Sequence, residues 1–398
     1  MAVIDFSVSS DPDAAEEQRY LRNKGGAFGA IYATQMAEMG LLHLPGAGDP
    51  NPNPVCSDIA LKLADALSNE LGAAESEFFK AVETGKVSFT TLKSLGAMKP
   101  NHLKFGSDEH KLLTEILLGK LNTSGEADLR RRSTLRMLLE VVATSAKIPP
   151  VEQIKWRWFE KLPEPQREST SIVPRLWFLY QACDLMRLAY EAILVAALTM
   201  LERKPQRRLS LEGLTNELVS YVSVADDQTW EELSLDIADG AVTAREHAQA
   251  MLEAIDLSET AQQVHLAVSL IAALFVRALD MTDLVEETMS GSDYFQSLRT
   301  EVQFLNQARS APARHVIADM FRERVIKRHL WVAARKFRNQ NAYTFHMEPD
   351  EGQLRYRSHF SVSPSSPRLT EAIRFLCDIG LIDDGGITQF GLAELAAT

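Results

Sequence analysis

Cysteine is scarce: Cys56, Cys183 and Cys377 are the only three in 398 residues, and none stands at CxxC or Cys/His spacing. A disulfide scaffold and a zinc knuckle are thereby excluded as organising devices. Familiar site motifs are missing as well. There is no GxxxxGK(S/T), no HExxH and no GxSxG, so neither a Walker-type phosphate cradle nor a zincin or hydrolase site is indicated. Gly25-Gly26-Ala27-Phe28-Gly29 follows no strand signal and reads as a turn. Glu109 and Lys111 have the spacing of a nuclease half-site, but they open a helix rather than sit on a strand. No cofactor and no metal are expected.

Long apolar runs are also lacking. The windows Ile193 to Leu201 and Leu266 to Val276 are shorter than the roughly 20 residues that span a bilayer, and Glu191, Glu202, His265 and Arg277 bracket them. They read as buried helices, and no membrane partner is expected. Met1 to Glu17 holds five acids and no Lys or Arg, the reverse of a signal peptide's basic start. It reads as a solvated acidic tail, and the expected compartment is a reducing cytoplasm.

What is present is the balance of a globular protein, 45% hydrophobic and 24% charged, with length for two or three domains. The formal charge of -12 excludes a uniformly basic nucleic-acid coat and leaves room for a local basic surface. Good helix formers in long periodic runs predict a mostly α fold. Proline and glycine punctuation divides it into an acidic tail (1–17), an N-terminal module (18–106), an α-helical middle domain (107–340), and a C-terminal module (341–398) that opens with a β-hairpin around Pro349-Asp350-Glu351-Gly352. The middle domain is expected to centre on helices over Pro174 to Glu202 and Glu259 to Glu287.

The two ends share a design. Met39-Gly40-Leu41-Leu42 and Ile379-Gly380-Leu381-Ile382 each place a glycine at the end of an amphipathic helix, then a short apolar strand, a turn, and a Ser- or Thr-capped helix. This succession, over Gln18 to Leu71 and Ser361 to Thr398, resembles winged-helix domains. The resemblance implies DNA binding through the helix before the wing, or protein docking. Ala30 to Met39, the corresponding N-terminal helix, contains Glu38 and no Lys or Arg.

Charge is concentrated in Arg309 to Arg338, with nine Lys/Arg against Asp319 and Glu323. At about 100° per residue Arg324, Arg328 and Arg335 fall within about 40° of one another, with Ile326, Leu330 and Phe337 opposite. Such a stripe can track phosphates, or meet an acidic surface such as the run from Asp226 to Asp239. A second cluster, Arg130-Arg131-Arg132 with Arg136, is followed by Lys155-Trp156-Arg157-Trp158-Phe159. Its interleaved aromatics and cations suit a stacking or docking site, although two such tryptophans more often anchor a core or an interface.

Arg322-Glu323-Arg324-Val325-Ile326-Lys327-Arg328-His329 resembles the Arg-to-His motif of the helical ribonuclease superfamily named for higher-eukaryote and prokaryote nucleotide binding. The resemblance implies metal-independent RNA cleavage, with His329 moving the proton and Arg322 stabilising the phosphorane. Three functions are thus expected. The first is a non-catalytic adaptor in a bacterial multiprotein assembly handling nucleic acid, with other protein subunits and DNA or RNA as partners. Its layout resembles accessory subunits of DNA-processing or phage-defence operons. In it Arg324, Arg328, Arg335, Lys155, Trp156, Arg157 and Trp158 would bind. The second is the ribonuclease using Arg322 and His329; the third is a protein-only scaffold.

Overall fold

The computed structural model describes residues 3–5, 28, 32–99, 102–121, 125–161, 172–291 and 296–397. Helix makes up 66% and strand 7%, so the protein is mostly α with small sheets, in line with its helix-forming composition. Two compact units are present. One is discontinuous, Met1–Ile154 with Pro367–Thr398, and the other is continuous, Lys155–Ser366.

The discontinuous unit begins with β1 (Val3–Asp5), α1 (Ala33–Glu38), β2 (Leu42–His43), β3 (Val55–Cys56), α2 (Asp58–Leu71), α3 (Ala74–Thr84), β4 (Lys86–Ser88), α4 (Phe89–Ser94), α5 (Asp108–Leu117) and α6 (Glu126–Ala143). Helix α7 (Val151–Glu160) carries the boundary. The continuous unit follows with α8 (Val173–Arg203), β5 (Arg208–Leu209), α9 (Leu211–Val219), α10 (Trp230–Ala238), α11 (Ala244–Asp256), α12 (Thr260–Leu279), α13 (Thr282–Thr288), α14 (Leu298–Gln307), α15 (Ala313–Asp319), a π-helical segment Met320–Ile326, α16 (Lys327–Gln340), β6 (Met347–Asp350) and β7 (Gln353–Tyr356). The chain then returns to the first unit with α17 (Leu369–Asp378), β8 (Ile382–Asp383), β9 (Gly386–Ile387) and α18 (Gln389–Ala396).

This division differs from the three expected modules. Helices α5 and α6 belong with the termini, because α6 packs against α17 and α18. The β6–β7 hairpin belongs with the continuous unit, where Met347, Leu354 and Tyr356 enter its core. Its third strand is β5, paired with β7 in the order β5-β7-β6, and not an extension of the C-terminal hairpin. The acidic tail contributes β1, which pairs with β4 antiparallel, so Val3–Asp5 is ordered strand; residues 6–17 lie outside the described residues.

The repeated design at the two ends is reproduced bond for bond. Gly40 and Gly380 adopt φ of 75° and 65°, the left-handed conformation that ends a helix at little cost only for glycine. The next amide, Leu41 or Leu381, donates to Met36 or Leu376 at 2.8 and 2.9 Å. The hydroxyl of Ser57 donates to the Gly40 carbonyl at 2.7 Å, and that of Thr388 to the Gly380 carbonyl at 2.6 Å. Each hydroxyl also accepts the first-turn amide of its own helix, from Ala60 or Gly391. One side chain therefore both caps α2 or α18 and ties it to the end of the helix before the hairpin.

The second basic cluster is consumed here. Arg131 donates to the carbonyls of Leu117 and Ile116, Arg132 to those of Leu118 and Gly119, and Arg136 to that of Leu395. These cations close the C-terminal ends of α5 and α18, where exposed carbonyls concentrate negative potential.

In the continuous unit α8 is buried around most of its circumference: Leu185, Met186, Leu188, Ala189, Ala192 and Ile193 are at most 3% exposed, while Arg187 reaches solvent. A helix apolar around most of its circumference needs neighbours on most sides, and α8 and α12 form the centre of this core. Helix α12 is long and apolar enough by composition to cross a membrane, and 67% of that window is buried inside the protein. Gln263 on α12 donates to the Ala192 carbonyl of α8 at 2.6 Å.

Candidate anion-binding cavity on the basic helix

Residues 313–340 form one helical run whose middle is wound as π-helix. The Lys327 amide reaches back five residues to the Arg322 carbonyl. A π turn holds more residues than an α turn, so the side-chain phase slips across it. Arg322 and His329 therefore do not share the face that seven α-helical residues would give them. Arg322 pairs with Asp319 at 2.9 Å, whereas His329 lines a cavity to which Arg322 does not contribute. The expected catalytic pair is thus not brought together.

The cavity has a volume of about 290 Å³. Helix α16 supplies Arg328, His329, Val332, Ala333 and Lys336 to it, the π segment supplies Arg324, and α8 supplies Tyr190 and Glu191. The spacing 329, 332, 333, 336 is one helical face. The packing side of α16 runs along it, with Ala333 1% exposed, while Phe337, expected inward, is 50% exposed.

His329 is half-buried, and its Nε2 accepts the His346 backbone amide at 3.1 Å. That bond requires an unprotonated Nε2, so the ring is neutral with its proton on Nδ1. Burial, then His346 and Lys336, depress its pKa to about 4. His346 Nδ1 in turn meets the Ser358 hydroxyl at 2.9 Å.

Beneath the cavity Glu301 is 1% exposed, and burial raises its carboxyl above the ordinary range against the opposing pull of Arg324. Arg324 Nε lies 3.7 Å from a Glu301 oxygen, and its guanidinium stacks over Phe304 at 4.5 Å. Burial, and then Glu301, push the Tyr190 phenol well above its usual pKa, so Tyr190 is a neutral hydroxyl at any working pH. Glu191 is engaged by Arg187 at 2.6 Å.

Of the expected cationic triad, Arg324 and Arg328 line the cavity and Arg335 does not. Arg328 and Arg335 both lie near one indole, 4.3 and 5.5 Å from the Trp331 ring centre. The acidic run from Asp226 to Asp239 does not cover this stripe. Glu232 caps α10 through Thr229, Gln228 donates to Asp236, and Glu231 meets Arg309 at 3.5 Å.

The expected stacking site at Lys155 to Trp158 is corrected. Lys155, Trp156 and Trp158 are 2%, 7% and 8% exposed, which leaves no aromatic face for a base. Trp156 packs edge-on to Phe159, Trp158 against Trp177, and Phe159 stacks on Phe178. Arg157 alone of the four is exposed.

Tyr190, Trp331, Lys336 and His346 were not singled out by sequence. Trp331 stands three residues after Arg328 and four before Arg335, a spacing that places all three on one helix face. Tyr190 lies within an apolar helix and carries no local signal. Among the described residues no cluster of three or more His, Cys, Asp or Glu is arranged to hold a metal. No protein-family model, curated protein or solved structure matches this chain.

Proposed function

We propose that the protein is a non-catalytic adaptor that contacts nucleic-acid backbone through α16, within a cytoplasmic assembly that includes other protein subunits. The observation that carries this reading is the pair of guanidiniums on Trp331. Stacking on an indole fixes the plane of an arginine, and a guanidinium held in plane has the geometry that matches phosphate oxygens bidentately. The helix–glycine–hairpin–helix repeats at the two ends resemble winged helices, and on this reading they are docking modules for DNA or for neighbouring subunits. The layout as a whole resembles accessory subunits of DNA-processing or antiviral defence operons.

Fluorescence anisotropy of labelled duplex DNA and single-stranded RNA across a salt series tests the reading. The double variant Arg328→Glu/Arg335→Glu leaves Arg324 with its buried partner Glu301. Wild type is expected to bind with steep salt dependence, and the variant to bind weakly with a slope of log affinity against log salt shallower by about 2. Absent or salt-insensitive binding by the wild type would overturn the adaptor reading.

A further inference from the structure

We propose that copies of this chain associate with one another, the acidic face of α10 in one copy docking on the cationic face of α16 in a second. The association stands on these two faces alone; its consequence, that nucleic acid and a second copy compete for α16, rests on the nucleic-acid reading above.

The two faces share one plan with opposite charge. Trp230, Leu233 and Ser234 are the buried side of α10, which leaves Glu232, Leu235, Asp236 and Asp239, at i, i+3, i+4 and i+7, exposed on its outer side. Leu235 is 45% exposed among three carboxylates. On α16 Arg328, Trp331, Arg335 and Arg338 share one face by the same periodicity, with two of the guanidiniums close to the indole. An apolar side chain ringed by carboxylates thus matches an indole ringed by guanidiniums. Brought together, Leu235 packs on the indole and the arginine stems, and the rim supplies arginine–carboxylate pairs able to make two parallel hydrogen bonds.

The acidic face does not serve its own helix. Glu232 and Asp236 hold the neutral partners Thr229 and Gln228, and among the described residues Glu231 alone of the run meets an arginine, Arg309. Asp236 and Asp239 stand at the C-terminal end of α10, which has no base in its last turn. Carboxylates are disfavoured at that end, where the helix dipole attracts cations. A guanidinium arriving from a second copy is therefore favoured by the side chains and by the helix end together.

Within one copy the two faces do not meet. The Ala313 amide donates to the Gln228 carbonyl at 2.8 Å and the Trp230 amide to the Ala311 carbonyl at 3.0 Å, so α10 is fixed at the start of the helical run 313–340. Trp331 stands near the other end, roughly 25 Å further along the axis. That exceeds the Debye length of about 10 Å at 0.1 M salt, so each face acts separately and the overall charge of -12 does not decide the local contact. Each copy offers one face of each sign, and the contact is either made twice in a two-fold pair or passed on from copy to copy.

Sedimentation velocity on the full chain, without nucleic acid, at about 0.1 M and about 1 M salt tests the association. Wild type is expected to associate reversibly in the micromolar range, and about tenfold more weakly at the higher salt. Asp236→Lys/Asp239→Lys and Arg328→Glu/Arg335→Glu should each be monomeric alone and form an equimolar complex when mixed, since each retains the face the other has lost. Mixing also controls for folding, because a misfolded variant has no face to offer. Leu235→Ser, which alters no charge, should weaken association about tenfold. Where a melting curve shows that a reversal disturbs the fold, Asp239→Asn or Arg335→Gln takes its place. A wild type monomeric up to about 1 mM, association indifferent to salt, or folded reversal variants that still associate alone or fail to pair when mixed would each overturn the proposal. Single-stranded RNA should dissociate the wild-type assembly. Association that survives RNA keeps the self-contact and overturns the adaptor reading of α16, whereas a monomeric wild type that binds RNA keeps the adaptor reading and overturns the self-contact.

Discussion

The ammonium of Lys155, 2% exposed, donates to the carbonyl oxygen of Ser365 at 3.0 Å. The Ser365 amide in turn donates to the buried carboxylate of Asp184 at 3.0 Å, and its hydroxyl meets Tyr180 at 2.6 Å. A segment without regular structure is thus held against α7 and α8 by two buried charges. Lys155→Ala removes one donor and leaves a void, and is expected to cost about 2–4 kcal/mol. The urea midpoint should fall while nucleic-acid affinity at low denaturant is unchanged; a loss of affinity with the midpoint intact would return Lys155 to the binding surface.

Gly391 leaves no room for a side chain. A Cβ placed there would stand 2.2 Å from the Leu381 carbonyl oxygen and 2.7 Å from Ile387. Gly391→Ala should destabilise the discontinuous unit by roughly 1–3 kcal/mol, read as a lowered thermal midpoint. A wild-type melting curve would show that α18 does not approach β8 as described.

Ser57→Ala and Thr388→Ala each delete a helix cap together with its bond back to a glycine carbonyl. Each should cost about 1 kcal/mol and speed amide exchange in the first turn of α2 or α18 respectively. Exchange unaltered in both variants would mean that the two hydroxyls do not do the same job.

His329 sets a pH dependence whose sign follows from its depressed pKa. The unfolded chain takes up a proton near 6.5 and the folded ring only near 4, so stability is lost as pH falls through this interval. The loss is about 2–3 kcal/mol, allowing for partial exposure of the ring. His329→Gln, which keeps an acceptor for the His346 amide, should flatten the dependence of the thermal midpoint between pH 6.5 and 4. An unchanged slope in that variant would assign the acid sensitivity to other groups.

The local grammar of this fold was legible. Gly40 and Gly380, with their following hydroxyl caps, were matched from spacing alone because a helix stop and a helix start are properties of a few adjacent residues. Helix α8 was placed within one residue at each end for the same reason. The π segment was not, since nothing in Met320 to Ile326 distinguishes five-residue from four-residue hydrogen bonding, and with it the phase between Arg322 and His329 was misjudged. The burial of Trp156 and Trp158 was one of two readings that local composition left open; Trp177 and Phe178, the partners that settle it, stand across an intervening segment. Tyr190 and Lys336 were invisible as a pair, because only tertiary packing brings α8 to α16.

Residues 367–398 complete the unit that residues 1–154 begin, so the continuous unit is an insertion within it. Synthesis proceeds from the first residue, and the ribosome therefore delivers all of Lys155–Ser366 before α17 and α18 exist. During that interval α6 waits for the helices it packs against, with Arg136 lacking the Leu395 carbonyl and His110 lacking the Ile379 carbonyl it meets at 2.9 Å. The order of maturation is fixed by topology: the interior of the chain can settle while it is being made, and its beginning can settle only once the C-terminal segment has cleared the exit tunnel.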